Sequence, residues 1–417
     1  MPTVLLIIDE YGTSKGGIST INCQVGQTLK DKAIVFSTVL RVPKQDQEAA
    51  DRDKVHLIEP HRREGDKTEP SLDWLAFQFQ SYYPKSKLPQ HVDVIIGHAS
   101  ITDTAARNIK DDYYQEADLI MFTHVLPEDT EYFKGGRRAI NASEKEENMV
   151  GQVDKAKAAF SVGPRIYKHF KPKYRGDKKP REHYLFLPRP SKTFEEADIT
   201  PDSGDGEKSV LTIGRVNNVE HLKGYNLAAR AMRIVARYLA YLRWITRGIS
   251  RDDYEKSMKI LEDNLNSPDL IPTLRPYGTQ QDIRNDMMTA HLVLMPSRSE
   301  PFGLVGLEAI AAGIPVLISD KTGLADMIKE LVCEEKLPRG FLNRIVETSV
   351  QDRDMDKNAE TWALKIRETL NDTETAFNNA KKFKVALLES KYWEDSENQF
   401  LQACGITGSA AQAQGSR

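Results

Sequence analysis

The stretch HLVLMPSRSEPFGLVGLEAIAAGIPVLISD, from His291 to Asp320, constrains the fold more than any other part of the chain. Leu292 to Met295 is an apolar run of the length of a buried strand, and Pro296 to Gly303 is rich in Pro, Ser and Gly, as a loop requires. Leu304 to Ala312 reads as a helix stopped by Gly313, and Pro315 to Ser319 as a second buried strand. Strand, loop, helix and strand in about thirty residues form one βαβ unit, with a parallel pair joined by a right-handed crossover. Two carboxylates sit oddly in it. Glu300 lies in the loop, and Glu308 lies inside the helix among Gly306, Leu307, Ala309 and Ile310. A carboxylate among apolar neighbours is costly without a partner, so Glu308 is either a surface residue on a half-exposed helix or a binding group. Gly303 lets backbone N–H groups approach a ligand closely, and the helix dipole favours an anion there. The unit can hold a phosphate at its loop and a polyhydroxylated group against its carboxylates.

A chain of 417 residues is too long for one ordinary core and sufficient for two. Strands are expected at Thr3 to Ile8, Ala33 to Val39, Val55 to Ile58, Val92 to Ile96, Ala117 to Thr123, Ala158 to Val162 and Tyr184 to Pro188. The loop DEYGTSKGG after the first of these carries Gly16 and Gly17, the fourth delivers His98, and the fifth delivers His124. These residues fall at the carboxyl edge of a parallel sheet, where α/β folds bind ligands. Leu72 to Tyr83 reads as one aromatic-rich helix, and Gly135 to Lys157 as a solvated loop followed by a helix. Ser191 to Lys208, polar, acidic and rich in Pro and Gly, reads as a linker.

A second α/β pattern follows. Ser209 to Ile213 is a strand ending in Gly214-Arg215, a loop leads to Lys223-Gly224, and Tyr225 to Tyr238 is a helix. Leu239 to Ile245 and Leu270 to Leu274 are further strands, the latter running to Pro276-Tyr277-Gly278. Phe341 to Val346 reads as a weaker strand, Asp356 to Ser390 as a long charged helical region, and the tail GITGSAAQAQGSR as low-complexity and disordered. Arg215 and Lys223 bracket one βα loop. Two cations there either serve solubility or neutralise a diphosphate, Arg through a planar fork and Lys as a point charge.

Glu300-Pro-Phe-Gly-Leu-Val-Gly-Leu-Glu308, followed by Ala309-Ile-Ala-Ala-Gly-Ile-Pro315, resembles the E-x7-E signature of retaining glycosyltransferases of family 4, in the glycogen synthase-like superfamily. Gly-Arg215-x7-Lys223-Gly resembles the phosphate-binding pair of the same family, in the right order relative to the two carboxylates. The resemblance implies an α/β chain with two Rossmann-like domains facing each other across a cleft, the GT-B fold. It implies an acceptor-side domain at 1–195, a nucleotide-sugar-binding domain at 196–385, and a segment at 386–417 that crosses back to the first domain. It further implies that Glu300 contacts the donor sugar and that Glu308 binds the nucleotide ribose. The backbone near Phe302, Gly303 and Leu304 would meet sugar or diphosphate, and Gly16 and Gly17 would sit beside the donor diphosphate and the acceptor. The stretch ending in His98 and the triplet Phe122-Thr-His124 resemble the family's two histidine positions, with His124 near the reacting carbon and His98 supporting it. The turn at Tyr277 would lie near the nucleotide base.

The resulting expectation is a metal-independent, retaining hexosyltransferase. Arg215, Lys223, Glu300 and His124 carry catalysis, the donor is a nucleotide sugar with UDP favoured by family frequency, and no cofactor is needed. The acceptor, whether glycan, lipid, protein or small molecule, is not legible. The alternative is a catalytically weak nucleotide-sugar sensor within a larger protein. An epimerase or phosphorylase on the same fold is disfavoured by the Arg–Lys pair beside E-x7-E. A net charge of −3 argues against a nucleic-acid partner. Three scattered cysteines (Cys23, Cys333, Cys404), no basic leader and no apolar run of spanning length point to a cytoplasmic protein without a transmembrane segment.

Overall fold

The computed structural model describes residues 1–12, 16–62, 65, 67–134, 136–177, 179–199 and 206–406. Thr13 to Lys15 of the first loop, the middle of the expected linker (200–205) and the tail from 407 lie outside the described residues. The chain divides into two compact units. One contains Met1–Leu126, Ser143–Arg189 and Trp393–Arg417, and the other contains Pro127–Ala142 and Pro190–Tyr392.

The first unit is built on seven strands: β1 (Thr3–Ile7), β2 (Ile34–Thr38), β3 (Val55–Ile58), β4 (Val94–His98), β5 (Asp118–Thr123), β6 (Ala158–Val162) and β7 (Glu182–Phe186). They pair in the order β3-β2-β1-β4-β5-β6-β7, all parallel. Continuous apolar runs such as Val4 to Ile8 and Leu119 to Phe122 are buried on both faces, as strands covered by helices on each side must be. Helix Glu394–Ala403 returns to this sheet, and the Ser396 hydroxyl accepts a 3.1 Å hydrogen bond from Leu187 N–H just past β7.

The second unit is built on β8 (Lys208–Ile213), β9 (Leu242–Ile249), β10 (Thr273–Pro276), β11 (Leu292–Met295), β12 (Val316–Ser319) and β13 (Ile345–Val346). Their order is β10-β9-β8-β11-β12-β13, again all parallel. Trp244 and Trp362 are fully buried here. Their indole N–H groups are satisfied by the hydroxyls of Thr212 and Thr348, each at 3.1 Å. Both sheets reverse strand order once, between β1 and β4 and between β8 and β11. In open α/β sheets, ligands bind on the carboxyl side at such reversals.

Four local expectations are corrected. Leu72 to Tyr83 is two short helices, Leu72–Ala76 and Phe79–Tyr82, because exposed Phe77 and Gln78 break the turn. The break lets the Tyr82 ring stack on Trp74, 3.6 Å between centroids. The expected loop at the start of Gly135 to Lys157 contains a short helix, Gly136–Ile140, ahead of the expected helix, which runs over Ala142–Gln152. Asp356 to Ser390 is two helices, Met355–Asn371 and Thr373–Glu389. Asp372 separates them and caps the second through Thr375 N–H at 3.0 Å. Phe341 to Val346 pairs only at Ile345–Val346, since Phe341 turns in to stack on Phe383 at 4.0 Å. A helix at Tyr254–Leu265 has no counterpart in the sequence reading. Among the described residues no helix is long and apolar enough to cross a membrane.

Candidate functional site

In the second unit the polar residues cluster at the strand-order reversal. Arg215 and Lys223 follow β8, and the loop from Pro296 to Gly303 follows β11, its neighbour in the sheet. Two backbone features press these loops together. Arg298 N–H donates to the Leu222 carbonyl at 2.9 Å. Gly224 has φ +71°, and a Cβ there would lie 2.0 Å from the Pro296 carbonyl oxygen, so only glycine permits the approach. The result places the Lys223 ammonium 2.5 Å from Glu300 Oε2, with the Ser297 hydroxyl on the same oxygen at 3.4 Å. An ammonium has three donors, and no other described residue takes the remaining two.

The Glu300 backbone is fixed on its other side. Its N–H donates to Lys321 C=O and its C=O accepts from Gly323 N–H, both at 3.0 Å, so the loop is stitched to the turn after β12. Gly303 caps helix Leu304–Ala312 at φ +114°, a conformation that L side chains rarely adopt. Phe302 is buried, and its carbonyl accepts from Leu324 N–H at 2.7 Å. The first-turn amides after Gly303 have no intrahelical acceptor and point out of the helix start, with the positive end of the dipole behind them. Arg215 is exposed and makes no hydrogen bond to Lys223 or Glu300. Asp253 is held below the ordinary carboxylate range by hydrogen bonds from Asn217 and Ser250, and the charges of Lys256 and Arg215 add to the effect.

Glu308 settles the question its sequence raised. Helix Leu304–Ala312 is buried from Gly306 to Ala312, so the half-exposed surface alternative is excluded. No described residue hydrogen-bonds the Glu308 carboxyl, and burial alone pushes its pKa from the ordinary 4.5 up to about 8. A folded-state value above the unfolded one gives stability that is complete below about pH 4.5 and is lost as pH rises to about 8. Glu308→Gln should therefore match wild type near pH 5 and be the more stable near pH 8, by on the order of 4 kcal/mol at most. Chemical unfolding at both pH values checks this, and the same pH dependence in both proteins would contradict it.

In the first unit the edge residues form a second group. Gly16 caps helix Gly17–Leu29 at φ +114°. His98 ends β4 and His124 lies just past β5, and their rings meet, His98 Nδ1 to His124 Nε2 at 2.9 Å. His98 Nε2 lies 3.0 Å from Asn22 Oδ1 of the first helix. The His98 backbone is anchored by Thr102, whose hydroxyl accepts from His98 N–H at 3.1 Å and donates to Ile7 C=O at 2.6 Å. Burial lowers the His98 pKa to about 3 and holds His124 well below its ordinary value, with the His98 charge adding to the second effect. Both imidazoles are neutral at physiological pH.

The structure thus joins Lys223 to Glu300 and His98 to His124, and it places Gly16 and Gly17 at the start of the helix that supports the histidines. Arg215 follows β8 and Glu308 lies within the helix after β11, and neither is hydrogen-bonded to the Lys223–Glu300 pair. Sequence reasoning missed Asn22, Thr102, Ser297 and Arg298. Arg298 is 3% exposed, paired with Asp352 at 2.8 Å and lying over the Phe133 ring at 5.2 Å.

A family described as Family 4 Glycosyltransferase in conflict systems matches residues 5–400. An uncharacterised glycosyltransferase of Methanocaldococcus jannaschii is 35% identical over 132 residues, 31% of this chain and 31% of that protein. A D-inositol 3-phosphate glycosyltransferase of Jonesia denitrificans is 30% identical over 99 residues, 24% of this chain and 19% of that protein. The chain thus spans less than a third of the length of these curated relatives. Among solved structures, a sucrose-phosphate synthase from Thermosynechococcus elongatus superposes with a TM-score of 0.68 at 16% identity, covering 96% of this chain and 98% of that one. An Anabaena protein in complex with UDP and glucose superposes with a TM-score of 0.63 at 14% identity, again covering 96% and 98%. These likenesses give the fold, GT-B. With a match that runs through both sheets and both groups of polar residues, the chain belongs to the family 4 glycosyltransferases of conflict systems.

Proposed function

We propose that the protein is a retaining glycosyltransferase that uses a nucleotide diphosphate-sugar, with UDP as the nucleotide, and works without a metal ion. The observation that carries the reading is the Lys223–Glu300 pair at the reversal of the second sheet, beside a helix start and eight residues before the buried Glu308. A donor diphosphate needs positive charge as its bond to the sugar breaks. Lys223, Arg215 and the amides after Gly303 supply that charge at fixed positions. Glu300, already oriented by its backbone bonds and by Lys223, accepts from sugar hydroxyls. Glu308 accepts from the ribose, and hydrogen bonds from hydroxyls replace the water it has lost. His124 contacts the sugar at its reacting end. The UDP in the Anabaena neighbour supports the choice of nucleotide.

The assignments differ in what they cost when removed. Ribose contacts exist in the ground and transition states alike, whereas contacts to the reacting sugar strengthen as the bond breaks. Glu308→Ala should weaken binding of UDP itself by about tenfold or more, while Glu300→Ala should leave UDP affinity nearly unchanged and lower turnover. Calorimetry with UDP tests this, and equal affinity in wild type and Glu308→Ala would remove Glu308 from the nucleotide site.

A further inference from the structure

Three buried side chains of the first unit form a line in which each link dictates the next. Asn22 and His98 have no exposed surface and His124 is 9% exposed. Asn22 Oδ1 faces His98 Nε2 at 3.0 Å, and His98 Nδ1 faces His124 Nε2 at 2.9 Å. An amide oxygen only accepts, so with Asn22 in this orientation His98 carries its proton on Nε2. Its Nδ1 is then bare and accepts from His124 Nε2–H. Each ring is neutral and holds a single proton, so His124 Nδ1 is left bare as well, and no described residue donates to it. Turning the Asn22 amide over would present Nδ2 to His98 and reverse every link, making His124 Nδ1 a donor. In the orientation seen, Asn22 Nδ2 is buried without a partner.

We propose that Asn22 is a positioning residue that, through His98, fixes His124 as a hydrogen-bond acceptor toward a sugar hydroxyl. The geometry sits on rigid parts: a helix, the end of β4 and the end of β5, with His98 further tied to Thr102. A bare Nδ1 suits a hydroxyl, which must donate to be held in one orientation. An imidazole free to exchange tautomers would offer that acceptor only part of the time. The kinetic consequence rests on the glycosyltransferase reading. The tautomer itself does not.

The test uses the full chain labelled with 15N-histidine, with long-range 1H–15N spectra recorded at about pH 9, where even a carboxylate-paired imidazole holds one proton. His98 and His124 are expected to be protonated on Nε2 in wild type and in Asn22→Asp, whose carboxylate can only accept. Asn22→Leu, of similar volume, is expected to show both tautomers. In a donor-hydrolysis assay Asn22→Leu should lower kcat by about tenfold or more with the donor KM little changed, and Asn22→Asp should restore most of it. A proton on His124 Nδ1 in wild type overturns the proposal, as does an unchanged tautomer in Asn22→Leu. The spectra need no donor, so a failure to find turnover would count against the glycosyltransferase reading and leave the role of Asn22 decided by the tautomers.

Discussion

Lys223→Ala is expected to lower turnover by about 30- to 1000-fold while leaving the fold intact. The estimate follows from removing one charge-assisted donor from a developing diphosphate, about 2–4 kcal/mol of transition-state stabilisation at 1.36 kcal/mol per tenfold. The fold survives because the local structure depends on Gly224 and on the Arg298–Leu222 backbone bond, neither of which involves the Lys223 side chain. The variant also strips Glu300 of its ammonium partner, leaving a part-buried carboxylate with only the long Ser297 contact. Glu300 would then lose orientation toward the sugar as well. Arg215→Ala should act in the same direction but less strongly, since Arg215 is exposed and its charge is better screened by water. Steady-state kinetics with circular dichroism as the folding control tests both, and normal turnover in both single variants would remove the phosphate assignment.

The second large effect is expected at His124. Its ring reaches the edge of the first sheet and is neutral, held by His98 from behind. A group that contacts only the reacting end of the sugar adds little to nucleotide affinity, which the proposed function assigns to residues of the second unit. His124→Ala should therefore keep nucleotide-sugar binding within about tenfold, roughly 1.4 kcal/mol, while abolishing both transfer and the slower hydrolysis of the donor. If His124→Ala releases nucleoside diphosphate as fast as wild type, His124 has no part in the chemistry, whatever the chain binds.

The parallel strands were legible because a strand buried on both faces must be a continuous apolar run, as Val4 to Ile8 and Leu292 to Met295 are. Glu308 stood out for the complementary reason, since a carboxylate inside an apolar helix is costly unless it binds something, while Glu300, Arg215 and Lys223 stood out by the spacing that resembles the family's motifs. The sequence did not reveal which of them touch. The Lys223–Glu300 contact depends on how closely Gly224 approaches Pro296, a tertiary distance with no local signature. Asn22 was invisible for a similar reason, since its partner His98 lies 76 residues away. The helix at Tyr254–Leu265 escaped notice because its charged and polar composition masks the weak apolar stripe, Leu261 and Leu265, that it buries.

On the proposed function this chain binds a nucleotide sugar and turns it over. Donor hydrolysis needs no acceptor, so the most direct measurement is release of nucleoside diphosphate by the wild-type chain from a panel of UDP-, GDP- and ADP-sugars. Release above background is expected with at least one donor, a UDP-sugar first, and its loss is expected in Lys223→Ala and in His124→Ala. Tight binding of a nucleotide sugar with no release from any member of the panel would contradict it and identify the chain as a binding module.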